Sequence, residues 1–423
     1  MHKYVLLLLL FIYVFDVPIN MGENMTYGAV IVGLVCTILL FCKKKYQGKY
    51  LAMLLSRYHI YILLLIIVVA VYSAIVVLLN DTGDYSYLRV CVHMIVNIEV
   101  GVLLFGLIKA YGKEDKVIDY IIDVFIIQAI IQIISFVSPD FKLITDIFRS
   151  STQLEYAKLY AGYRGLGVAG SGFFGLAIVY GFLFVLIAYY WREWNVKSII
   201  MRTLYLIILG LGAVSAGRSA LFGIFFAFLY LTLMGGSRFI GNSYRIVIGM
   251  GNWKTILVMF FLILIGVSMY INLAETTNPS LRGFYHFISS FLEGIFNDKG
   301  LYSSTSGQSL FDSLKYELDY KQFLFGDGRY AGIDGAANYM HQDSGYMRNL
   351  LLFGIGGSFL LFCIQYFMWK PCFLNNTEEK VFAAVICLMA MVFHIKGEVV
   401  GISIEYQSLS LMVCYALTAV RPY

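Results

Sequence analysis

Charged side chains are scarce in this sequence. Asp, Glu, Lys and Arg make up 13% of its 423 residues, against about 25% in soluble domains. With 60% hydrophobic residues and a mean hydropathy of +0.77, an ordinary water-soluble domain is excluded. Long apolar runs between short polar turns point to helices crossing a bilayer. Alternation of polar and apolar residues is missing as well. A run such as Ile60–Leu79 does not alternate, which argues against a transmembrane β-barrel. A disulfide framework is also missing. Cys36, Cys42, Cys91, Cys363, Cys372, Cys387 and Cys414 lie in or beside apolar runs, not in the long polar segment, and no Cys/His spacing of a metal site occurs.

Several chemistries lack their motifs. No G-x-x-x-x-G-K-[ST] is present, so no ATP-driven motor of the P-loop kind is expected. No H-E-x-x-H is present, so neither is a zincin protease. Gly326-Asp327-Gly328 is a lone Gly-x-Gly without a strand–helix context and carries no weight as a phosphate cradle. No internal repeat of the transporter kind is visible. The opening Met1–Phe15 resembles a signal peptide but has no clear small-x-small cleavage site, so a retained first helix is expected.

What is present is an all-α, polytopic pattern forming a single integral-membrane domain over residues 1–423. About twelve spans are expected, near 3–19, 25–42, 60–79, 88–110, 117–137, 165–190, 198–216, 218–235, 254–274, 345–369, 380–396 and 400–420. Lys43–Lys45, Lys49 and Arg57, then Lys109, Lys113 and Lys116, then Arg192, Lys197 and Arg202, then Arg238, Arg245 and Lys254, then Lys370 and Lys380 flank alternate loops. The positive-inside rule makes those loops cytoplasmic, and both termini with them. Two long segments then face outward: Ser138–Tyr163, and Ala274–Ser344 before the tenth span. Phe284–Phe296 and Phe311–Leu324 have apolar residues near helical spacing and are expected as short interfacial helices.

Arginines recur on the outward side. Arg164 lies in A-G-Y-R-G-L-G and Arg218 in V-S-A-G-R-S-A-L-F-G. Arg329 lies in F-G-D-G-R-Y-A-G, Arg282 in the same long loop, and Arg348 about two turns into the helix that follows His341. A guanidinium fork suits phosphate oxygens bidentately. Small residues around Arg218 would let a bulky headgroup approach the backbone; the plain alternative is an arginine snorkelling at a helix end. In N-Y-M-H-Q-D-S-G-Y-M-R, a helix starting near His341 would align His341, Gly345 and Arg348 on one face. Histidine suits proton transfer near neutrality. Asp343 is either an acid partner or a helix cap. Glu99, Asp119, Asp123, His394 and Glu405 lie inside apolar spans. They are functional candidates, or else hydrogen-bonding groups between helices together with Gln128 and Gln132.

With R-G-L-G before a middle span, S-A-G-R-S-A-L at the next outward turn, a large late loop and H-Q-D-S-G-Y-M-R-N-L-L-L-F-G-I-G-G opening a helix, the chain resembles the bacterial O-antigen and capsule repeat-unit polymerases of the Wzy type. These share their layout with O-antigen ligases. The resemblance implies a membrane glycosyltransferase of the GT-C kind in the bacterial inner membrane. Donor and acceptor would both be oligosaccharides on undecaprenyl diphosphate, joined at the outer face. It implies diphosphate binding by Arg164 and Arg218, assisted by Arg329 and Arg348, and His341 as base with Asp343 beside it. No metal, cofactor or nucleic acid is expected. A chain-length regulator and a flippase are the protein partners it admits. The alternatives are an O-antigen-type ligase, or a flippase or other transporter. Tyr302, Tyr316, Tyr320, Tyr330, Tyr339 and Tyr346 could stack on sugar rings or anchor at the membrane interface.

Overall fold

The computed structural model describes residues 3–21, 24–26, 28–42, 56–149, 154, 165–238, 282, 315–333 and 338–419. The described residues are overwhelmingly helical. In chain order the helices are α1 (Lys3–Val14), α2 (Gly28–Phe41), α3 (Arg57–Leu79), α4 (Ser86–Ala110), α5 (Val117–Val137), α6 (Pro139–Asp146), α7 (Phe173–Tyr190), α8 (Ile199–Ala216), α9 (Phe222–Arg238), α10 (Tyr320–Phe325), α11 (Gly345–Leu374), α12 (Thr377–Lys396) and α13 (Ile404–Ala419). A small antiparallel ribbon, Ile19–Met21 with Asn24–Thr26, joins α1 to α2.

Among the described residues six segments are long and apolar enough to cross a membrane: Arg57–Leu79, Ser86–Ala110, Glu114–Val137, Phe173–Tyr190, Ile199–Ala216 and Gly345–Leu374. Lys3–Val14, Gly28–Phe41 and Arg218–Met234 are apolar but shorter. Eleven of the twelve expected spans therefore fall on helices, several of them shorter than expected. The remaining one, the ninth in chain order at 254–274, lies outside the described residues, as does Phe284–Phe296. The expected helix over Phe311–Leu324 is corrected where it is described. Residues 316–319 are not helical, and α10 starts at Tyr320. The reason is local: Asp319 and Gln322 form a capping box that sets the helix start.

Helix α7 is buried nearly all round, and its neighbours pack on it through small residues. A Cβ built on Gly223 of α9 would lie 2.2 Å from Gly181 Cα of α7, so the two backbones touch as small residues permit in membranes. Helix α3, by contrast, presents Leu64, Ile67, Val68, Val71, Ile75 and Leu78 outward. In water such a stripe would be a liability; in lipid it needs no cover.

Successive spans run up and down, so alternate connections gather at two ends of the bundle. Lys3 pairs with Asp123 at 3.3 Å, and Asn195 N–H donates to Asp119 at 3.3 Å. These contacts bring the starts of α1 and α5 together with the α7–α8 connection. The other end carries the Arg218 turn, the starts of α7, α11 and α13, and the ends of α8 and α12.

Helix α11 is broken. Phe353 (φ −140°, ψ 21°) and Gly354 (φ 63°, ψ −166°) leave helical geometry in mid-span. Breaking a helix frees carbonyls that lipid cannot satisfy. Here Asp327 N–H donates to Leu351 O at 2.6 Å and Gly328 N–H to Leu352 O at 3.0 Å. The Gly-Asp-Gly triplet is thus the plug of the break, a role that Gly-x-Gly spacing alone does not reveal. The fit needs glycine on both sides. Gly326 and Gly354 are left-handed, and a Cβ on either would lie 2.6 or 2.3 Å from the opposing backbone. The segment is also caught from α3, since Asn80 Nδ2 donates to Gly326 O at 3.4 Å and Thr82 Oγ1 to Gly328 O at 2.6 Å.

Gly354→Ala and Gly326→Ala should each destabilise the protein by at least about 2 kcal/mol, from left-handed strain plus the clash. Gly210→Ala, in α8 with nothing within 4 Å of the new methyl, should be neutral or stabilising by up to about 1 kcal/mol. Thermal unfolding of the detergent-solubilised variants checks both; equal midpoints across all three would refute the plug.

Candidate functional site

The Arg218 end collects polar groups from distant stretches of sequence. Arg218 is half-buried and opens a 3-10 turn, Arg218–Leu221, between α8 and α9. Gly217 before it is extended and packs where a Cβ would meet Ala177 at 3.3 Å. Lys396, at the end of α12, donates from Nζ to Ser219 Oγ at 3.0 Å. Two residues on, Glu398 accepts from Arg348 Nη1 at 2.6 Å and from the Tyr330 hydroxyl at 2.8 Å. The Arg348 guanidinium also lies over the Tyr330 ring, 4.3 Å from its centroid. Lys396-Gly397-Glu398 therefore ties the Arg218 turn to the start of α11 and to the long loop.

The loop is held as firmly on its other side. Asp84 Oδ2 accepts from the backbone N–H groups of Tyr330 and Ala331, both at 2.7 Å, while its Oδ1 accepts from Ser86 N at 3.0 Å and Ser86 Oγ at 2.5 Å. Burial works against the Asp84 charge, but these hydrogen bonds win and hold its carboxyl below the usual range. Tyr87 packs edge-on against both Tyr330 and Phe353. Asp327 Oδ2 accepts from Gln322 Nε2 at 2.9 Å and from the Tyr339 hydroxyl at 3.2 Å. Residues 324–331 are thus part of the bundle rather than a surface loop.

The expected site residues fare differently. Arg164 lies outside the described residues. Its neighbour Gly165 donates to Ser215 O at 3.1 Å and accepts from Gln132 Nε2 at 2.6 Å, three residues before Arg218. Arg329 is half-buried between the plug and Tyr330, and its charge acts on Tyr339. Arg348 sits in the first turn of α11, not two turns in, because the helix starts only at Gly345. His341 is therefore not on the helix face of Gly345 and Arg348. It ends a separate 3-10 turn, Tyr339–His341, with φ of +53° at both Met340 and His341. Its side chain is exposed, and its N–H donates to Asn338 O at 3.2 Å. Asp343 is exposed and accepts from Asn338 Nδ2 at 3.2 Å. The N-cap of α11 is Ser344, which corrects the capping reading of Asp343.

The acidic and basic groups inside the spans have local partners. His59 meets Glu99 at 2.9 Å, and Asp119 accepts from Asn195 N. Gln128 and Gln132 of α5 donate to Leu166 O and Gly165 O, in the segment before α7, at 2.7 and 2.6 Å; Gln132 also donates to Ser215 Oγ of α8 at 3.2 Å and accepts from the Tyr180 hydroxyl of α7, so of the two it is Gln132 that joins helices. His394 Nδ1 accepts from Val399 N at 3.1 Å, and its Nε2 lies 2.9 Å from Asn349 Nδ2. Among the described residues no group of three or more His, Cys, Asp or Glu could hold a metal ion.

Sequence reasoning missed Lys396, Glu398 and Asp84. The signal for the first two was K-G-E interrupting two apolar runs. Comparison with protein-family models, with curated proteins and with solved structures finds no match for this chain.

Breaking the Arg348–Glu398 pair on one side leaves the other charge buried. Arg348→Met should cost about 3–5 kcal/mol, and Arg348→Met with Glu398→Gln less than the sum of the single changes. Burial pushes Glu398 up to about 7, with Arg348 and Tyr330 pulling the other way. The folded protein then keeps a proton that the unfolded chain releases near the ordinary 4.5. This contribution to stability is complete below about 4.5 and is lost as the pH rises through about 7. Glu398→Gln should flatten that slope in thermal unfolding between pH 4.5 and 7; an unchanged slope would show that other groups set it.

Proposed function

We propose that this chain is a membrane-embedded polysaccharide repeat-unit polymerase, working on lipid-diphosphate-linked glycans at the outer face of a bacterial inner membrane. The observation that carries this reading is the gathering of Arg218, Lys396 and Arg348 at one end of an apolar bundle, joined by Lys396-Gly397-Glu398. A half-buried arginine in a turn of small residues, beside a second cation, suits the diphosphate of a lipid carrier. The other end carries Lys3, Arg57, Lys109, Lys113, Lys116, Arg192, Lys197 and Arg202. Under the positive-inside rule that end is cytoplasmic, as are both termini, and the Arg218 end faces outward.

In the proposed reaction an acceptor sugar hydroxyl attacks the anomeric carbon of the donor glycan. The bond from that carbon to the carrier's diphosphate oxygen breaks, and a glycosidic bond forms. The hydroxyl proton passes to His341, and the lipid diphosphate leaves with the bonding electron pair. Its growing negative charge is met by guanidinium groups, chiefly that of Arg218, with Arg164 and Arg329 as the further candidates. Exposure of His341 at the rim suits a base that must reach a lipid-linked acceptor. Asp343, two residues beyond that turn, would orient the acceptor or the histidine. Arg348 contributes through the loop it fastens. The donor and acceptor are both oligosaccharides on undecaprenyl diphosphate, with a flippase and a chain-length regulator as working partners.

Arg218→Ala and His341→Ala should each lower chain extension about 10²-fold or more, while the protein still inserts in the membrane fraction. Purified protein with lipid-linked repeat units measures this directly, and wild-type rates in both variants would sink the assignment. Activity should persist in chelator; complete loss restored by magnesium would count against fixed arginines as the stabilising charge.

A further inference from the structure

Helix α6 lies at the same end of the bundle as the Arg218 turn. Its start is set locally: Pro139 takes the first helical position, and Ser138 Oγ accepts from Phe141 N–H at 3.3 Å. One side of the segment faces inward. Thr145 is buried, and its hydroxyl lies 3.5 Å from Ser135 Oγ of α5. Arg149, three residues past the helix, is buried too. Its Nη1 donates to Asp146 Oδ1 at 2.9 Å and its Nη2 to Gly167 O at 3.1 Å. The other side is apolar. Leu143, Ile144 and Ile147 are 67%, 54% and 66% exposed. Ile147 caps the helix in helical geometry, so positions i, i+1 and i+4 share one face.

The depth of α6 decides what meets that face. A helix leading away from α5 into water would carry Thr145 about 10 Å beyond the turn at Ser138. Thr145 is instead beside Ser135, before α5 has ended at Val137. Helix α6 therefore folds back at the level of the last turn of a span, Glu114–Val137. The outward side chains of that span, Ile127, Ile130, Ile134 and Val137, run to the same turn. The apolar surface that α5 shows to lipid thus continues onto α6. Asp140, Lys142 and Asp146 supply the polar remainder of the helix. An amphipathic helix at the end of a span, apolar on the side away from the protein, fits the boundary between headgroups and acyl chains. Held in water, the same three side chains would form an exposed apolar patch.

We propose that α6 is a membrane-surface helix, docked into the leaflet at the Arg218 end with Leu143, Ile144 and Ile147 among the lipid chains. The partner is the bilayer itself. Through Arg149, which rests on Gly167 O, the helix seats the strip before α7 at the membrane surface rather than above it. The same strip meets the end of α8 through Gly165 N–H and Ser215 O, three residues before Arg218. The inference holds whether or not the chain is a polymerase.

The test uses the unaltered full-length protein in nanodiscs of phosphatidylethanolamine and phosphatidylglycerol. A fraction of the lipid carries a diazirine on its acyl chain. After photolysis, peptide mass spectrometry should find lipid adducts on Leu143, Ile144 and Ile147, as on Leu64, Ile67 and Val71 of α3, which serve as the positive control. No adduct on any of the three α6 residues, with α3 labelled, overturns the proposal. Hydroxyl-radical footprinting of the same discs gives a second reading. The three residues should be protected to the same degree as the α3 stripe. Rapid oxidation would place the face in water, and protection without lipid adducts would place it under protein, either this chain or a second copy. Both results overturn the proposal.

Discussion

A backbone carbonyl freed inside a membrane helix must find a donor, and the Arg218 end is built around that requirement. The break at Phe353 and Gly354 exposes Leu351 O and Leu352 O. The amides of Asp327 and Gly328 meet them. Once those residues are committed, the chain on either side has little freedom. Asn80 and Thr82 hold it from α3, Asp84 grips Tyr330 and Ala331, and Glu398 takes the Tyr330 hydroxyl together with the Arg348 guanidinium. A loop that would otherwise float in water becomes part of the bundle. Arg329, between the plug and Tyr330, is positioned by the same contacts.

The helical, membrane-spanning character was legible because it follows from composition and run length alone. Strong apolar runs such as Phe173–Tyr190 leave lipid or a helical core as the only environments, and the structure puts a helix there. The break in α11 was not legible. F-G-I-G-G lies inside an apolar run, and glycines are tolerated in membrane helices without breaking them. What breaks the helix is a partner more than twenty residues upstream, which no local pattern reports. The register of His341 was misjudged for a related reason. Helical spacing was carried back across Asp343 and Ser344, whereas the helix begins at Gly345 and the chain before it turns through left-handed residues. Glu398 was overlooked because a single carboxylate between two apolar runs reads as a short polar turn. Only its burial against Arg348 reveals its weight.

The fate of Arg348 changes how the arginines are ranked. In sequence they look alike, each a cation near an outward helix end. In the structure Arg348 is neutralised by a carboxylate 2.6 Å away and covered by an aromatic ring. Drawing it onto a phosphate would leave Glu398 buried without its partner, at a cost comparable to what the phosphate contact would return. Arg348 is therefore better suited to fixing the loop than to meeting a substrate. Arg218 has a different setting. Its turn is bordered by Gly217, Ser219 and Ala220, and Lys396 reaches that turn through the Ser219 hydroxyl. In the proposed function the diphosphate is therefore assigned to the Arg218 turn, while the Arg348–Glu398 pair holds the adjoining loop in place.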